Sequence, residues 1–373
     1  MLTKRNFMPN GRSVATLIVP VAVLLAMASA GATHPLSDNP PQMLQEPASF
    51  QVSYHLDIPA GGEIFPAFTS GAPSQYWPVA TLTMVNTSTQ AVVQTVYAEI
   101  RDWSRQSVQT VSLAPNETRI VRLNPELLPQ AFENGEIRAA TLEVHAGVLG
   151  TLFNFNETRP VYLHSASDFY WGDKFANAQF IARWVTPHDP AVMQLVSSAR
   201  QYVRRGRLAG YELSGDSPSA VAAQVEDEAR GVFTAMANLG LSYVDSISTY
   251  GNYASKAERV RFPSETLSLN GANCIDMSVA FASAMENLGM QPVIVLVPGH
   301  AFTGVRLASG SSQILFLDLT VMPDGKFDAA TRRAQDWLRK TPKAKVNIID
   351  VAAARARQIY PMPKNKPIVV AQQ

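Results

Sequence analysis

Hydrophobic and polar positions alternate with period two through the first half of the chain. Phe50, Val52, Tyr54 and Leu56 interleave with polar residues, the pattern of a strand with one face in a core. Runs rich in Val, Thr and Met follow at Trp77 to Val85 and Val92 to Ile100. Val108 to Leu113 and Thr118 to Leu123 flank Ala114-Pro115-Asn116-Glu117, a turn signal between two strands. Thr141 to Val148 and Val161 to His164 continue the series. Short strands broken by turn residues at this spacing predict an antiparallel β-sandwich over residues 49–166. Nothing in it carries chemistry, so it reads as a support or docking module.

From Asp168 the period lengthens to that of helices, and residues 167–335 read as a second domain. Asp189-Pro190 is an N-cap with proline at the first helical position, and Gly206 closes that helix. Val192, Val196, Ala199 and Val203 form its apolar face. A second helix starts near Pro218, turns Val221, Val225, Val232, Met236 and Leu239 inward and stops at Gly240. Ser246 to Ser268 is polar and loop-like. A third helix follows Asn270-Gly271-Ala272-Asn273 and carries Ile275, Val279, Ala282, Met285 and Leu288 on one face, with Gly289 at its end. Val293 to Val297 reads as a buried strand, then Pro298-Gly299-His300; Phe302 to Leu307 and Gln313 to Leu319 read as a hairpin. Residues 336–373 form a C-terminal extension, with a strand at Val346 to Ile349, an Ala-rich helix at Asp350 to Arg357, and no evident chemistry.

The N-terminus has a different logic. Lys4, Arg5 and Arg12 precede fourteen almost wholly apolar residues, Val14 to Met27, and then Ala28-Ser29-Ala30 and Ala30-Gly31-Ala32. This order predicts a secretory signal peptide over residues 1–32. Fourteen helical residues span roughly 21 Å, short of the roughly 30 Å hydrocarbon core, so a retained anchor is disfavoured. A Pro-rich linker follows at residues 33–48. The expected location is periplasmic or secreted, with no stable membrane insertion after cleavage. Asn86, Asn116 and Asn156 lie in Asn-x-Ser/Thr triplets, which matter only in a eukaryotic secretory pathway.

Charge and composition narrow the function. Of 373 residues, 31 are basic and 30 acidic, a net charge of +1 that gives no electrostatic affinity for nucleic acid. Without the first 32 residues, 28 basic and 30 acidic side chains remain, a net charge of −2. Cys274 is the single cysteine, so no disulfide can form within the chain and no Cys pair exists for zinc. The six histidines are scattered, with no pair at helical metal-binding spacing. There is no Gly-x-Ser-x-Gly, phosphate loop, dinucleotide glycine motif or His-Glu-x-x-His, and Asp324 to Asp328 is a turn rather than a calcium loop. No cofactor and no metal are implied.

Cys274 sits in the first turn of its helix, where backbone N–H groups and the positive end of the dipole favour a thiolate. Fourteen helical steps to Leu288 cover roughly 21 Å. Eight extended steps from Pro292 to His300 cover roughly 26 Å, so a strand returning antiparallel brings His300 beside Cys274. A hairpin turn near Ser309 or Gly310 then pairs Asp318 with His300 or Phe302, on one face of the sheet. The expected arrangement is Cys274 as nucleophile, His300 as general base and acid, and Asp318 as orienting carboxylate. Asp276 reads as a helix N-terminal charge partner. For the oxyanion, the Cys274 N–H leads; Asn270, Asn273, Tyr250 and Tyr253 are candidates for the second donor.

Arg259 to Gly289 (RVRFPSETLSLNGANCIDMSVAFASAMENLG), Pro298 to Val305 (PGHAFTGV) and Leu317 to Leu319 (LDL) resemble the transglutaminase-like superfamily of papain-related Cys-His-Asp enzymes. It looks like the bacterial branch, in which a Pro-Ser-Glu-x-Leu stretch precedes a Cys-x-Asp motif, and the resemblance covers roughly residues 170 to 335. The resemblance implies an α+β core with the nucleophile on a central helix packed against an antiparallel sheet. It also implies Cys274, His300 and Asp318 in the three roles above. Many relatives carry an acidic residue just before the cysteine; here it is Asn273.

The leading expectation is therefore acyl transfer on amide or peptide bonds of proteins or peptides, by water (peptidase or amidase) or by an amine (transglutaminase). The rival is a non-catalytic envelope binding or adaptor protein of the same fold, docked to a protein partner through the β-sandwich. A redox-sensing thiol would need a second thiol from elsewhere.

Overall fold

The computed structural model describes residues 52–148, 153–212, 217–244, 256–324 and 326–363. The expected signal peptide and Pro-rich linker lie outside the described residues, as do Tyr250 and Tyr253.

The alternating segments form strands. The first part of the chain runs β1 (Val52–Asp57), β2 (Glu63–Ile64), α1 (Pro66–Thr69), β3 (Ala80–Asn86), β4 (Val92–Ile100), β5 (Ser107–Leu113), β6 (Thr118–Leu123), α2 (Pro129–Glu133), β7 (Arg138–Gly147) and β8 (Phe155–Leu163). One sheet has the order β1-β3-β6 and a second the order β2-β8-β7-β4-β5. All pairs are antiparallel except β2 with β8, which pairs in parallel. The alternation is literal in β3, where Ala80, Leu82 and Met84 are buried and Thr81, Thr83 and Val85 are half-buried. These residues share one apolar cluster with Val96 and Ala98 of β4 and Leu142 and Val144 of β7, so the two sheets bury a common core.

The second part contains β9 (Asp168–Tyr170), α3 (Pro190–Ala199), α4 (Pro218–Asn238), β10 (Ser242–Tyr243), β11 (Ala257–Arg259), α5 (Pro263–Leu269), β12 (Gly271–Ala272), α6 (Cys274–Asn287), β13 (Pro292–Val297), β14 (His300–Arg306), β15 (Ile314–Leu317), α7 (Phe327–Lys340), β16 (Asn347–Asp350) and α8 (Val351–Ala356). Its main sheet has the order β15-β14-β13-β16 and is antiparallel throughout. Ile294, Leu296, Ala301 and Ile349 pack on the side of α6. Val293, Val295, Val297 and Phe302 meet Ala334, Trp337 and Leu338 of α7 on the other. Helix α6 is buried from Ile275 to Met285 without a break, because Met277, Phe281 and Ala284 pack on α3 and α4 while Ile275 and Val279 face the sheet. The single apolar face expected for it understates its central position.

Three further segments depart from the sequence reading. The stretch expected to be loop up to Ser268 contains β11 and α5, with Pro263 at the first helical position and the Glu265 carboxylate accepting the Phe262 N–H at 2.9 Å. The first helix stops at Ala199 rather than near Gly206, and Leu195 joins its buried face. Phe327 and Asp328, expected within a turn, instead open α7, whose Phe327, Ala330 and Ala334 are buried at helical spacing.

Aromatic packing joins the two parts. Phe65 and Phe68 share a cluster with Phe169, Tyr170, Phe180 and Trp184. At its edge His164 is fully buried, stacked on Phe65 at 3.9 Å. Its ring nitrogens lie 3.1 Å from Glu63 and 3.1 Å from Asp168, and Asp168 also takes a hydrogen bond from Arg259. The C-terminal segment is tied in by Arg355, which makes two 2.9 Å bonds to the Glu286 carboxylate of α6. No helix among the described residues is long and apolar enough to cross a membrane.

Candidate active site

Asn273 is the N-cap of α6. Its side chain accepts the Asp276 N–H at 2.9 Å, and Asp276 returns the bond to the Asn273 N–H at 3.2 Å. Met277 N–H opens the helical ladder on the Asn273 carbonyl. The N–H groups of Cys274 and Ile275, in the first turn, have no intrahelical acceptor. Asp276 also accepts the Arg261 N–H at 2.8 Å and pairs with its guanidinium at 3.2 Å. Burial pushes the Asp276 carboxyl up to about 6, against the pull of Arg261 and the Asn273 N–H. Asp276 thus shapes the helix start, as its position predicts.

Pro298-Gly299 makes the two-residue connection between β13 and β14, with Val297 opposite His300. Gly299 has φ +74°, a conformation that side chains rarely adopt and that this turn requires. The turn starts β14 on His300 itself. In the β14–β15 hairpin Thr303 opposes Leu317, so Asp318 lies one residue beyond the last paired position of β15. His300 Nε2 lies 2.9 Å from Asp318 Oδ2, the contact anticipated from the hairpin.

Asp318 is fully buried and well supplied with donors. Thr320 gives its N–H at 3.1 Å and its hydroxyl at 2.7 Å, and the Trp337 indole N–H donates to Oδ2 at 3.1 Å. Burial pushes the Asp318 carboxyl up, but the His300 hydrogen bond and charge and the Thr320 donors outweigh it and hold the carboxyl below its ordinary value. The Trp337 ring also stacks on His300, with centroids 4.8 Å apart and planes at 26°. Trp337 therefore fixes both partners, although the sequence reading found nothing in residues 336–373 that bears on chemistry. Its signal was present: Phe327, Ala330, Ala334 and Trp337 repeat at helical spacing.

The Cys274 thiol lies against the backbone of Ala301, the residue after His300, and against the Ile275 N–H. Burial pushes the thiol up to about 11. The Ala301 and Ile275 backbone groups oppose this, while the charges of Glu258 and Asp318 add to it. The helix terminus alone is expected to favour thiolate; here burial and two carboxylates win, and the resting group is a neutral thiol. No hydrogen bond joins Cys274 to His300 in this structure; catalytic contacts of this kind are often long before substrate binds.

The oxyanion candidates separate. The Cys274 N–H stays in place at the helix start. Asn273 is largely committed: its oxygen caps α6 and its Nδ2 donates one N–H to Glu258 Oε1 at 3.0 Å. One N–H of its amide remains for an oxyanion. Asn270 closes α5 in the left-handed conformation, φ 52°, and is exposed. Glu258, on β11, is the neighbour that the sequence reading passed over. Its other oxygen accepts the Trp171 indole N–H at 3.2 Å. Cys274 and Trp171 pack at the edge of the same apolar cluster. Among the described residues no group of three or more His, Cys, Asp or Glu side chains forms a metal site.

Comparison with models of known protein families and with curated proteins finds no match to this chain.

Proposed function

We propose that the protein is a thiol-dependent acyl-transfer enzyme, with Cys274 as nucleophile, His300 as general base and acid, and Asp318 as the carboxylate that orients the imidazole. The observation that carries this reading is the 2.9 Å bond from His300 Nε2 to Asp318 Oδ2. It leaves Nδ1 as the ring nitrogen for the thiol, on the residue next to the backbone that the thiol touches. In the reaction, Nδ1 takes the thiol proton as sulfur bonds to the substrate carbonyl carbon. Charge developing on the carbonyl oxygen is met by the Cys274 N–H. The imidazolium, steadied by Asp318 and Trp337, returns the proton to the leaving amine, and a thioester remains. Water or a second amine then releases the acyl group.

The finer description of the fold belongs to the same proposal. We read β1 to β8 as a β-sandwich, and α6 with the sheet β15-β14-β13-β16 as a transglutaminase-like core. With the leader-like N-terminus, this makes the protein an exported enzyme of the periplasm or cell exterior, acting on proteins or peptides there. The rival reading, an adaptor docked through the two-sheet module, gives no reason for an aromatic clamp and four hydrogen bonds around one His–Asp pair.

The test is incubation of the full chain with a library of N-acetylated peptide amides, followed by mass spectrometry for cleaved or amine-exchanged products. Products should form with the wild type and not with Cys274→Ala. Equal turnover by that variant removes Cys274 from the reaction.

A further inference from the structure

A guanidinium taken out of water is costly unless an opposite charge comes with it. Arg183, at the end of the short 3-10 helix Ala178–Arg183, is only 3% exposed and has no such partner. Nη1 donates to the Ser70 carbonyl and Nη2 to the Ser70 hydroxyl at 3.1 Å, both neutral acceptors. The remaining N–H groups, that of Nε among them, have no acceptor among the described residues. No carboxylate among those residues pairs with it. The charge that bears on it is a second cation, Arg355, already bound to Glu286. Burial and Arg355 push the Arg183 guanidinium down to about 10, so it stays charged at neutral pH.

Arg183 lines a cavity of about 410 Å³. One wall comes from the two-sheet part, at Thr69 to Ser74 and Asn124 to Leu127, and the other from residues 358–363. The Met362 N–H, bound to the Arg183 carbonyl at 3.0 Å, draws that last segment over the arginine. Gly71 leaves the guanidinium uncovered on its side: a Cβ built there would sit 3.4 Å from Nη1. Leu127, Phe132, Tyr360 and Pro361 give the rest of the cavity an apolar and aromatic lining. Cys274, His300 and Asp318 do not line it, so it is separate from the proposed active site.

We propose that this cavity binds a small organic carboxylate with an apolar or aromatic body, whose charge is met by Arg183. The planar guanidinium suits a carboxylate, which can accept two parallel N–H groups. The lining carries one cation, Arg183, and one acid, Glu126, which faces Arg105 at 3.5 Å on the exposed edge. One negative charge therefore balances the site, whereas a phosphate dianion would leave charge in excess. Because the walls come from both parts of the chain, the ligand braces them together and stabilises the folded state by mass action.

The experiment is calorimetric titration of the full chain with 3-phenylpropionate, with the neutral 3-phenylpropan-1-ol and with phenyl phosphate. The carboxylate should bind about tenfold or more tightly than the alcohol, the scale of a charge-assisted hydrogen bond in a buried site, and more tightly than the phosphate. Arg183→Gln keeps a donor for Ser70 but removes the charge, and should lose the difference between carboxylate and alcohol. Equal binding of these two by the wild type, binding of neither, tighter binding of the phosphate, or the same preference in Arg183→Gln overturns the proposal. If Arg183→Gln does not fold, Tyr360→Glu decides with the wild-type titrations. Tyr360 is exposed at the cavity, so the fold is not at stake, and the new charge should weaken the carboxylate several-fold while leaving the alcohol unchanged. Unchanged carboxylate affinity in that variant overturns the proposal. Prior alkylation of Cys274 by iodoacetamide should leave the titration as it was. Loss of binding on alkylation would place the ligand at the thiol and overturn the cavity assignment, without bearing on the acyl-transfer reading.

Discussion

On the proposed reading the chemistry rests on Cys274, His300 and Asp318, the last two joined by a 2.9 Å contact. Cys274 is a neutral thiol at rest, pushed up to about 11 mainly by burial. Its ionisation in the folded chain therefore needs a proton acceptor. Iodoacetamide should alkylate the wild type near neutral pH through His300, and His300→Ala should slow that reaction about tenfold or more until the pH approaches the thiol's own range. An unchanged neutral-pH rate in the variant separates the two side chains. The same burial makes a stability statement. A thiol raised on folding contributes stability that is fully present below its ordinary value and is lost as pH rises through about 11. Relative to Cys274→Ala, the wild type should lose about 2 kcal/mol across that window in urea unfolding. Parallel curves for the two proteins would remove the buried-thiol account. Trp337 acts through its neighbours: Trp337→Phe keeps the ring on His300 but deletes the bond to Asp318, and should lower kcat several-fold with KM little changed.

At the scale of elements, α6 and the hairpin do the positioning. The capping box of Asn273 and Asp276 sets the helix start, so Asn273→Ala should cost about 1 kcal/mol in denaturant unfolding, more if the loss of the Glu258 bond adds to it. Full stability in that variant would mean that the cap contributes nothing. Much of this level was legible beforehand. Proline and glycine marked the β13–β14 turn, and counting across the hairpin placed Asp318 with His300 in either of two registers. What was not legible came from the third dimension. The central burial of α6 depends on α3 and α4 closing over a helix whose own pattern shows one face. Short β11 is a strand only because β9 pairs with it, so Glu258 had no signature in its polar surroundings. Helix α7 did have a periodic pattern, but Asp324 to Asp328 was read as a turn and the pattern beyond it went unread.

At the scale of the molecule, the two-sheet module and the mixed core share buried aromatic rings, and His164 sits at that junction between two carboxylates. Replacing it by leucine leaves Glu63 and Asp168 facing an apolar group and should cost about 3 kcal/mol. Urea unfolding checks this, and the two parts should still unfold in one transition, because the rings cross between them. Two separate transitions would show that the junction adds little cooperativity. The near-neutral charge and the single cysteine gave an expectation of no nucleic-acid partner and left no disulfide possible within the chain, but neither could indicate how the core closes around the site.

The central claim is that Cys274, served by His300 and Asp318, carries the acyl group. The most direct measurement is the intact mass of the protein quenched in acid after brief exposure to p-nitrophenyl acetate, with peptide mapping of the adduct. The account predicts one acetyl group on Cys274, released by hydroxylamine and formed far more slowly in His300→Ala. Acetylation elsewhere in the chain, or on Cys274 at an equal rate without His300, would contradict it.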